Sequence, residues 1–406
     1  MLDQGRLNIE DKSRASRLPW RGQFSPEFVE YIMKEVCNDS RSFLDPFCGS
    51  GTVLFEATAR GCASWGAEVN PAAWHLASIS EFAQLDIEEK NRHIKAIKSL
   101  AITYGSSENF GLPSLSNEPS IFLEKVKTVD ATVANLLASL LLLGMCNNLE
   151  ISNSAISRGA FILSGILNEM LTTDSVSKCH LADARYLPLE DDLVEAVITS
   201  PPYINVFNYH QNYRPATELL GWKPLQAARS EIGSNRKHRM NRFLTVIQYC
   251  MDMCVSLSEI SRVMKAGRPI IIVLGRISKV QGCSFENGKL IREIMEESGA
   301  FGKFRFSERV FTNRFGEKIY EDIIIAEKIQ KVVPKTEHAK FVGIEALKKA
   351  VVKVSSENKS LLDSAIEMGN QVKLSPKLEL TIPSIFEKTV LEKNVEYGSY
   401  SKAIAR

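Results

Sequence analysis

The chain reads as an α/β fold built on a mostly parallel sheet, and three observations carry that reading. An apolar run from Ser42 to Phe47 ends in Gly49 and Gly51, and Val53, Leu54, Ala57 and Thr58 follow at helical spacing until Gly61: strand, tight turn, helix. A second apolar run, Ser64 to Val69, carries Glu68 nineteen positions after Gly49. A third, Leu193 to Ile198, runs into Thr199, Ser200, Pro201, Pro202 and Tyr203. Strands followed by helices in this way build parallel sheets whose carboxyl edge carries the functional loops.

Composition bounds the possibilities. With 406 residues, 44% hydrophobic and 24% charged, the chain is long enough for one large core plus additions, in two or three units. A net charge of +2 means that a nucleic-acid partner must be met by a local basic face. The eight cysteines form no CxxC pair, and the start at Met1 lacks a basic-then-apolar signal, so a reduced, cytoplasmic setting is expected. Cys250 and Cys254, four apart in a helical pattern, are a metal pair or core packing; no histidine or further cysteine completes a site, so packing and no metal are expected. Ala134 to Met145 is the most apolar run, yet it is shorter than the roughly 20 residues a bilayer demands. A buried helix and no membrane partner follow.

In chain order, residues 1–20 are polar, with Arg6, Arg14 and Arg17 scattered among them, and read as a mobile arm. Ser25 is placed to cap a helix that Pro26 begins. The glycine turn either brings a ligand within contact distance of the backbone or merely tightens a strand–helix junction. Glu68, at the tip of the second strand, is positioned to accept hydrogen bonds from both hydroxyls of a ribose. Asn70 and Pro71 open another helix, and a helical pattern persists through Leu100. Residues 105–118 break it; from Ile121 to Leu171 apolar residues recur at three and four, which predicts a helical insertion over 105–178. Strand character returns at Cys179 to Ala184, where Asp183 is an acceptor for a ligand or a solvated loop aspartate. Phe243 to Met264 predicts a long helix, Pro269 to Arg276 a buried strand, Leu290 to Glu297 a helix, and Glu308 to Phe311 with Tyr320 to Ala326 a closing strand pair. Beyond Glu327 a helix at Gly343 to Lys353 and a strand at Leu374 to Ile382 are expected within an accessory region, 328–406.

The Ser200–Tyr203 stretch carries chemistry. Two prolines fix two φ angles and remove two N–H donors, leaving rigid outward carbonyl acceptors. An exocyclic base amine is a poor nucleophile because its lone pair is conjugated with the ring; acceptors on its hydrogens free that pair. Tyr203 offers a flat face for a base taken out of a duplex. Phe207, Tyr209 and Tyr213 beyond it are loop aromatics near such a base or core aromatics. Farther on, Arg229, Arg236, Lys237, Arg239 and Arg242 stand against one acid, Glu231, a density suited to phosphate contacts.

As they stand, DPFCGSGT (Asp45 to Thr52) resembles the first cofactor motif of S-adenosylmethionine-dependent methyltransferases that act on exocyclic amino groups of nucleic-acid bases, and TSPPY (Thr199 to Tyr203) resembles their catalytic motif. RVMKAGRPIIIVLG, from Arg262, is similar to their helix, glycine turn and fifth strand. The resemblance covers about 22–84 and 179–327. It implies a Rossmann-like class I methyltransferase fold: a seven-stranded, mostly parallel sheet with the last strand antiparallel, formed by 1–104 and 179–327. It implies S-adenosyl-L-methionine as cofactor, held by Asp45, Pro46, Phe47, Gly49, Ser50, Gly51 and Thr52, with Gly22, Gln23 and Phe24 at its methionine end, Glu68 on its ribose and Asp183 on its adenine amine. It further implies that Ser200 orients the target amine, that the Pro201 carbonyl accepts from it beside Pro202, and that Tyr203 stacks the base. The serine form is more typical of cytosine-N4 enzymes, so double-stranded DNA and a cognate restriction endonuclease are the expected partners. Adenine-N6 and RNA guanine-N2 enzymes share related motifs, and a non-catalytic nucleic-acid-binding module is the reading of a different class. The cofactor motif precedes the catalytic one here, the reverse of one common arrangement, so the resemblance does not locate target recognition.

Overall fold

The computed structural model describes residues 2–10, 12–20, 22–104, 119–146, 150–204, 211, 213–234, 237–313, 316–352 and 354–395. Nine strands are present among them: β1 (Ser42–Asp45), β2 (Ala63–Glu68), β3 (Ser177–Leu181), β4 (Ala196–Thr199), β5 (Pro269–Gly275), β6 (Ile277–Val280), β7 (Cys283–Glu286), β8 (Phe301–Thr312) and β9 (Lys318–Lys328). Seven of these form one sheet in the order β3-β2-β1-β4-β5-β9-β8. The pairs from β3 to β5 are parallel, while β9, last in the chain, runs antiparallel to both β5 and β8. This is the seven-stranded, mostly parallel sheet with its last strand antiparallel that the sequence predicts.

Period-two alternation explains why the strands are apolar throughout. Leu44, Val197, Ile270, Ile272, Leu274 and Ile324 face one layer, with Tyr249, Met253 and Leu257 of the helix Leu244–Val263. Phe43, Ala196, Ile198, Ile271, Val273 and Ile323 face the other, with Phe28, Val29 and Ile32 of the helix Pro26–Glu35. A parallel sheet covered on both faces needs apolar residues at every position, and each such fully buried side chain contributes about 1.5–3 kcal/mol.

A second core lies beside the sheet, where the helices Ile87–Tyr104, Ala131–Gly144 and Asn153–Glu169 pack together. The last two cross at glycines: a Cβ on Gly144 would stand 2.0 Å from the Ala155 carbonyl oxygen, and one on Gly159 2.0 Å from that of Leu140. His75 joins this core to the sheet side. Its Nδ1 pairs with Asn135 Oδ1 at 2.5 Å, and Trp222 Nε1 donates to its Nε2 at 3.0 Å. Burial pushes its pKa down to about 3, so the ring is neutral with its proton on Nδ1.

Three expectations are corrected, and one element is added to them. Residues 1–20 are not a free arm: the helix Gln4–Asn8 buries Leu7 among Phe28 and its neighbours, Gln4 Nε2 donates to the Glu308 carbonyl at 2.8 Å, and Asn8 Oδ1 accepts from the Val310 N–H at 2.9 Å. Ser25 precedes Pro26 as expected but makes no capping bond, its hydroxyl turning to Glu27 at 3.3 Å. Leu374 to Ile382 is not a strand, because the Ser375 and Pro376 carbonyls are taken by a buried arginine rather than by a ladder. The hairpin β6–β7 was not anticipated; its Val280, Cys283 and Phe285 join the main core.

Candidate active site

The chain order of the sheet reverses between β1 and β4, and a crevice opens at the carboxyl ends of strands flanking such a switch point. Here the reversal brings two segments about 150 positions apart to one edge. Thr199, ending β4, donates through Oγ1 to Asp45 Oδ1, ending β1, at 2.6 Å. Phe47 N–H donates to the same oxygen at 3.1 Å, and burial pushes the Asp45 carboxyl up to about 7.

After β1 the chain turns through Gly49 and Gly51 into the helix Thr52–Ala59. Gly51 is required here: its φ is +86°, and a Cβ would lie 2.9 Å from Ala77 Cβ. Glu68, at the end of β2, ties two loops together by accepting from Gly49 N–H at 2.9 Å through Oε2 and from Asn70 N–H at 2.8 Å through Oε1. Burial raises its pKa to about 7 despite these two donors. Ser50 Oγ donates to Gln23 Oε1 at 3.1 Å, so the 22–24 loop rests on the same turn.

Together these groups wall a cleft whose empty space, with the solvent at its mouth, is about 1020 Å³. Gly22, Gln23, Phe24, Asp45, Pro46, Phe47, Gly49, Thr52, Glu68, Asp183, Ser200 and Pro202 line it. Its described lining includes four carboxylates, Asp45, Glu68, Asp183 and Glu231, and no basic side chain. Pro201 and Tyr203 stand outside this lining. The Tyr203 ring lies over Gly275 at the end of β5, where a Cβ would meet Cε2 at 2.7 Å, and its hydroxyl is 3.4 Å from Ser200 Oγ and hydrogen-bonded to Glu321.

Several wall residues lie outside the sequence motifs: Trp20, Ser230, Glu231, Ile232 and Ser234. The 230–234 segment crosses the Ser200–Tyr203 stretch so closely that a Cβ on Gly233, at φ +68°, would be 2.3 Å from the Tyr203 carbonyl oxygen. A glycine in a polar run is the one local signal that could have pointed to it. Tyr213, left open between loop and core, stacks on Trp20 with ring centroids 5.7 Å apart. Phe207, Tyr209 and Arg236 lie outside the described residues.

Asp183 is held from behind by Arg185, which is fully buried. Arg185 Nε donates to Asp183 Oδ1 at 3.0 Å and Nη2 to Oδ2 at 2.6 Å; Nη1 donates to Asp252 Oδ1 and to the Ser375 carbonyl, each at 2.8 Å, and Nη2 to the Pro376 carbonyl at 2.8 Å. Lys237 departs from its expected place on a phosphate-facing surface: its ammonium donates to the Glu231 carbonyl at 2.6 Å and to Ser375 Oγ, and burial lowers its pKa to about 8. Two cations and two carboxylates thus balance beneath the cleft wall. Asp252→Asn leaves the cations in excess, an expected cost of about 3–5 kcal/mol, read as a lower urea midpoint; a change under about 1 kcal/mol would show that solvent reaches the cluster. Arg229, Arg239 and Arg242 are exposed.

Cys250 and Cys254 are buried in the Leu244–Val263 helix. Among the described residues no cluster of His, Cys, Asp or Glu fits a metal ion, and no helix is long and apolar enough to cross a membrane.

No protein-family model matches the sequence. Among solved structures, the chain aligns with an S-adenosylmethionine-dependent methyltransferase from Methanosarcina mazei (13% identity, 76% of this chain and 99% of that one, TM-score 0.34). It also aligns with the rRNA methyltransferase AviRa from Streptomyces viridochromogenes (13% identity, 84% and 96%, TM-score 0.33). Over 121 residues it is 30% identical to the type II methyltransferase M.MjaII of Methanocaldococcus jannaschii, a match that takes in 29% of this chain and spans 22% of that protein's length.

Proposed function

We propose that the chain is an S-adenosylmethionine-dependent methyltransferase acting on the N4 amine of cytosine in double-stranded DNA, as the modification partner of a restriction endonuclease or in phage defence. The observation that carries the proposal is an acidic cleft at the switch point, shared by the glycine turn and by Ser200 and Pro202. A dinucleotide or nucleoside triphosphate would bring phosphates to a lining with four carboxylates and no described basic side chain, and the Gly49 N–H that would bind them is already given to Glu68. A sulfonium and an ammonium fit instead, since opposite charge nearby favours both the ligand and the ionised carboxylates. The 30% identity to a protein named as a type II methyltransferase supports the modification reading.

In this reading Glu68 accepts from the ribose hydroxyls, Asp183 from the adenine amine, and the 22–24 loop holds the amino-acid end. The bound cofactor supplies an already activated methyl group, so the chain needs to supply position and hydrogen bonds. Ser200 Oγ and the Pro201 carbonyl would accept from the target amine and free its lone pair for the methyl group that the cofactor would supply, and the proton lost from nitrogen would pass to solvent. The exposed Arg229, Arg239 and Arg242 contact phosphates. The test is mass analysis of nucleosides after incubating DNA and RNA with the protein and methyl-labelled cofactor. Label is expected in N4-methylcytosine; label in N6-methyladenine moves the target to adenine, and label in RNA alone, or none, ends the proposal.

The raised Glu68 pKa sets a pH dependence with opposite signs for binding and folding. A carboxyl whose pKa moves from 4.5 to about 7 on folding takes up protons in the native state between those values, so the ligand-free protein loses stability as pH rises through that window. Cofactor needs the ionised form, so its affinity rises over the same window. Titration calorimetry with S-adenosylmethionine from pH 5.5 to 8.5 is expected to show tightening through about pH 7; a flat profile would remove Glu68 from the ribose.

A further inference from the structure

The helix Leu244–Val263 has 20 residues and so is about 30 Å long, whereas β4 with four residues spans about 13 Å. Its far end is tied to the amino edge of the sheet, where Val194 N–H donates to the Val263 carbonyl and Lys265 N–H to that of Val194. Its near end therefore overshoots the carboxyl edge on the side where the cleft opens. Tyr249 packs against Gly233, between the cleft-lining Ile232 and Ser234, and of the residues just ahead of the helix Arg239, Met240 and Arg242 are exposed while Phe243 is buried.

These residues form a braced turn. Lys237 N–H donates to the carbonyl of cleft-lining Ser234 at 3.3 Å, Asn241 N–H to that of His238 at 2.9 Å, and Asn241 Nδ2 to that of Leu361 at 2.7 Å. His238 adopts a left-handed φ of +49° to close it. At the tip stands Met240, 92% exposed, the most exposed large apolar side chain among the described residues, between the exposed Arg239 and Arg242. A flexible loop could fold such a side chain back onto the protein; this turn is anchored below and holds it out. An apolar, unbranched chain between two guanidiniums matches a partner that is anionic outside and stacked within, and duplex nucleic acid is such a partner.

We propose that Met240 enters the base stack and occupies the space left when the target nucleotide swings into the cleft, with Arg239 and Arg242 on the flanking phosphates. The inference rests on the nucleic-acid reading above. Apolar wedges of this kind stabilise an unstacked step, and the unpairing they support costs least when the target base has no partner.

The test uses the full chain and the site found by sequencing methylated DNA from a host expressing it. Met240→Ala is expected to lose about 10- to 100-fold in kcat/KM on a duplex bearing that site, with cofactor affinity unchanged and Met240→Leu restoring activity. On the same duplex with an abasic position opposite the target, the Met240→Ala loss is expected to disappear. Methylation of the intact duplex within twofold of wild type, or an equal loss on both duplexes, overturns the inference while leaving the methyltransferase reading intact. If the wild-type chain labels RNA alone or no nucleic acid at all, both fall together.

Discussion

Glu68→Ala weakens cofactor binding by about 100-fold or more in the expected result, read by calorimetry with S-adenosylhomocysteine. In the proposed reading the ionised carboxylate serves the ribose hydroxyls, and hydrogen bonds to a charged group contribute about 1.5–3 kcal/mol each. Two of them amount to at least about 3 kcal/mol, and every 1.4 kcal/mol is tenfold. The substitution also frees the Gly49 and Asn70 N–H groups, which Glu68 holds at 2.9 and 2.8 Å, so the glycine turn loses its tie to β2. Glu68→Gln separates the two effects. Its amide oxygen can keep one N–H, but its NH₂ faces the other as donor against donor, so an intermediate loss is expected. Affinity of Glu68→Ala within threefold of wild type would take this residue out of the cofactor site.

The second large effect is on turnover rather than on binding. Tyr203→Ala is expected to lower kcat by about 5- to 150-fold, the equivalent of the roughly 1–3 kcal/mol that stacking a base on an aromatic face supplies. The ring stands over Gly275, outside the cleft lining, so cofactor affinity should not move. Tyr203→Phe keeps the face and loses only the hydroxyl that meets Ser200 and Glu321, and it should retain most of the turnover. Because Glu321 also pairs with Arg309 at 3.1 Å, a thermal melt of Tyr203→Ala accompanies the kinetics, to separate lost stacking from a disturbed buried pair. Equal turnover in Tyr203→Ala and wild type, with both folded, would assign base stacking to another residue.

The acidic character of the cleft is spread along the chain. Asp45, Glu68, Asp183 and Glu231 come from four different segments, and only folding collects them. The same is true of the balance beneath the wall: Arg185 belongs to no motif of the sequence, yet it is buried between Asp183 and Asp252 and holds the carbonyls of Ser375 and Pro376. Lys237 reads as part of a basic run, and the fold turns it inward while Arg239 and Arg242 face out. A count of charges along the chain cannot separate these cases, because burial depends on what the opposite segment presents.

The sequence by itself determined the sheet and the turns at its carboxyl edge. Apolar runs bounded by Gly49, Gly51 and Gly267, the offset of Glu68 and the Pro201–Pro202 pair are local signals: they act through φ, through missing donors and through period-two burial, all within a few residues. The tertiary structure alone decided which distant segments close the cleft. Trp20 and the 230–234 strip become walls only once the strand order reverses between β1 and β4, and residues 374–382 give up a strand because a buried guanidinium claims two of their carbonyls. Contacts between segments more than a hundred residues apart leave no period in the sequence, so their partners become visible only when the chain is folded.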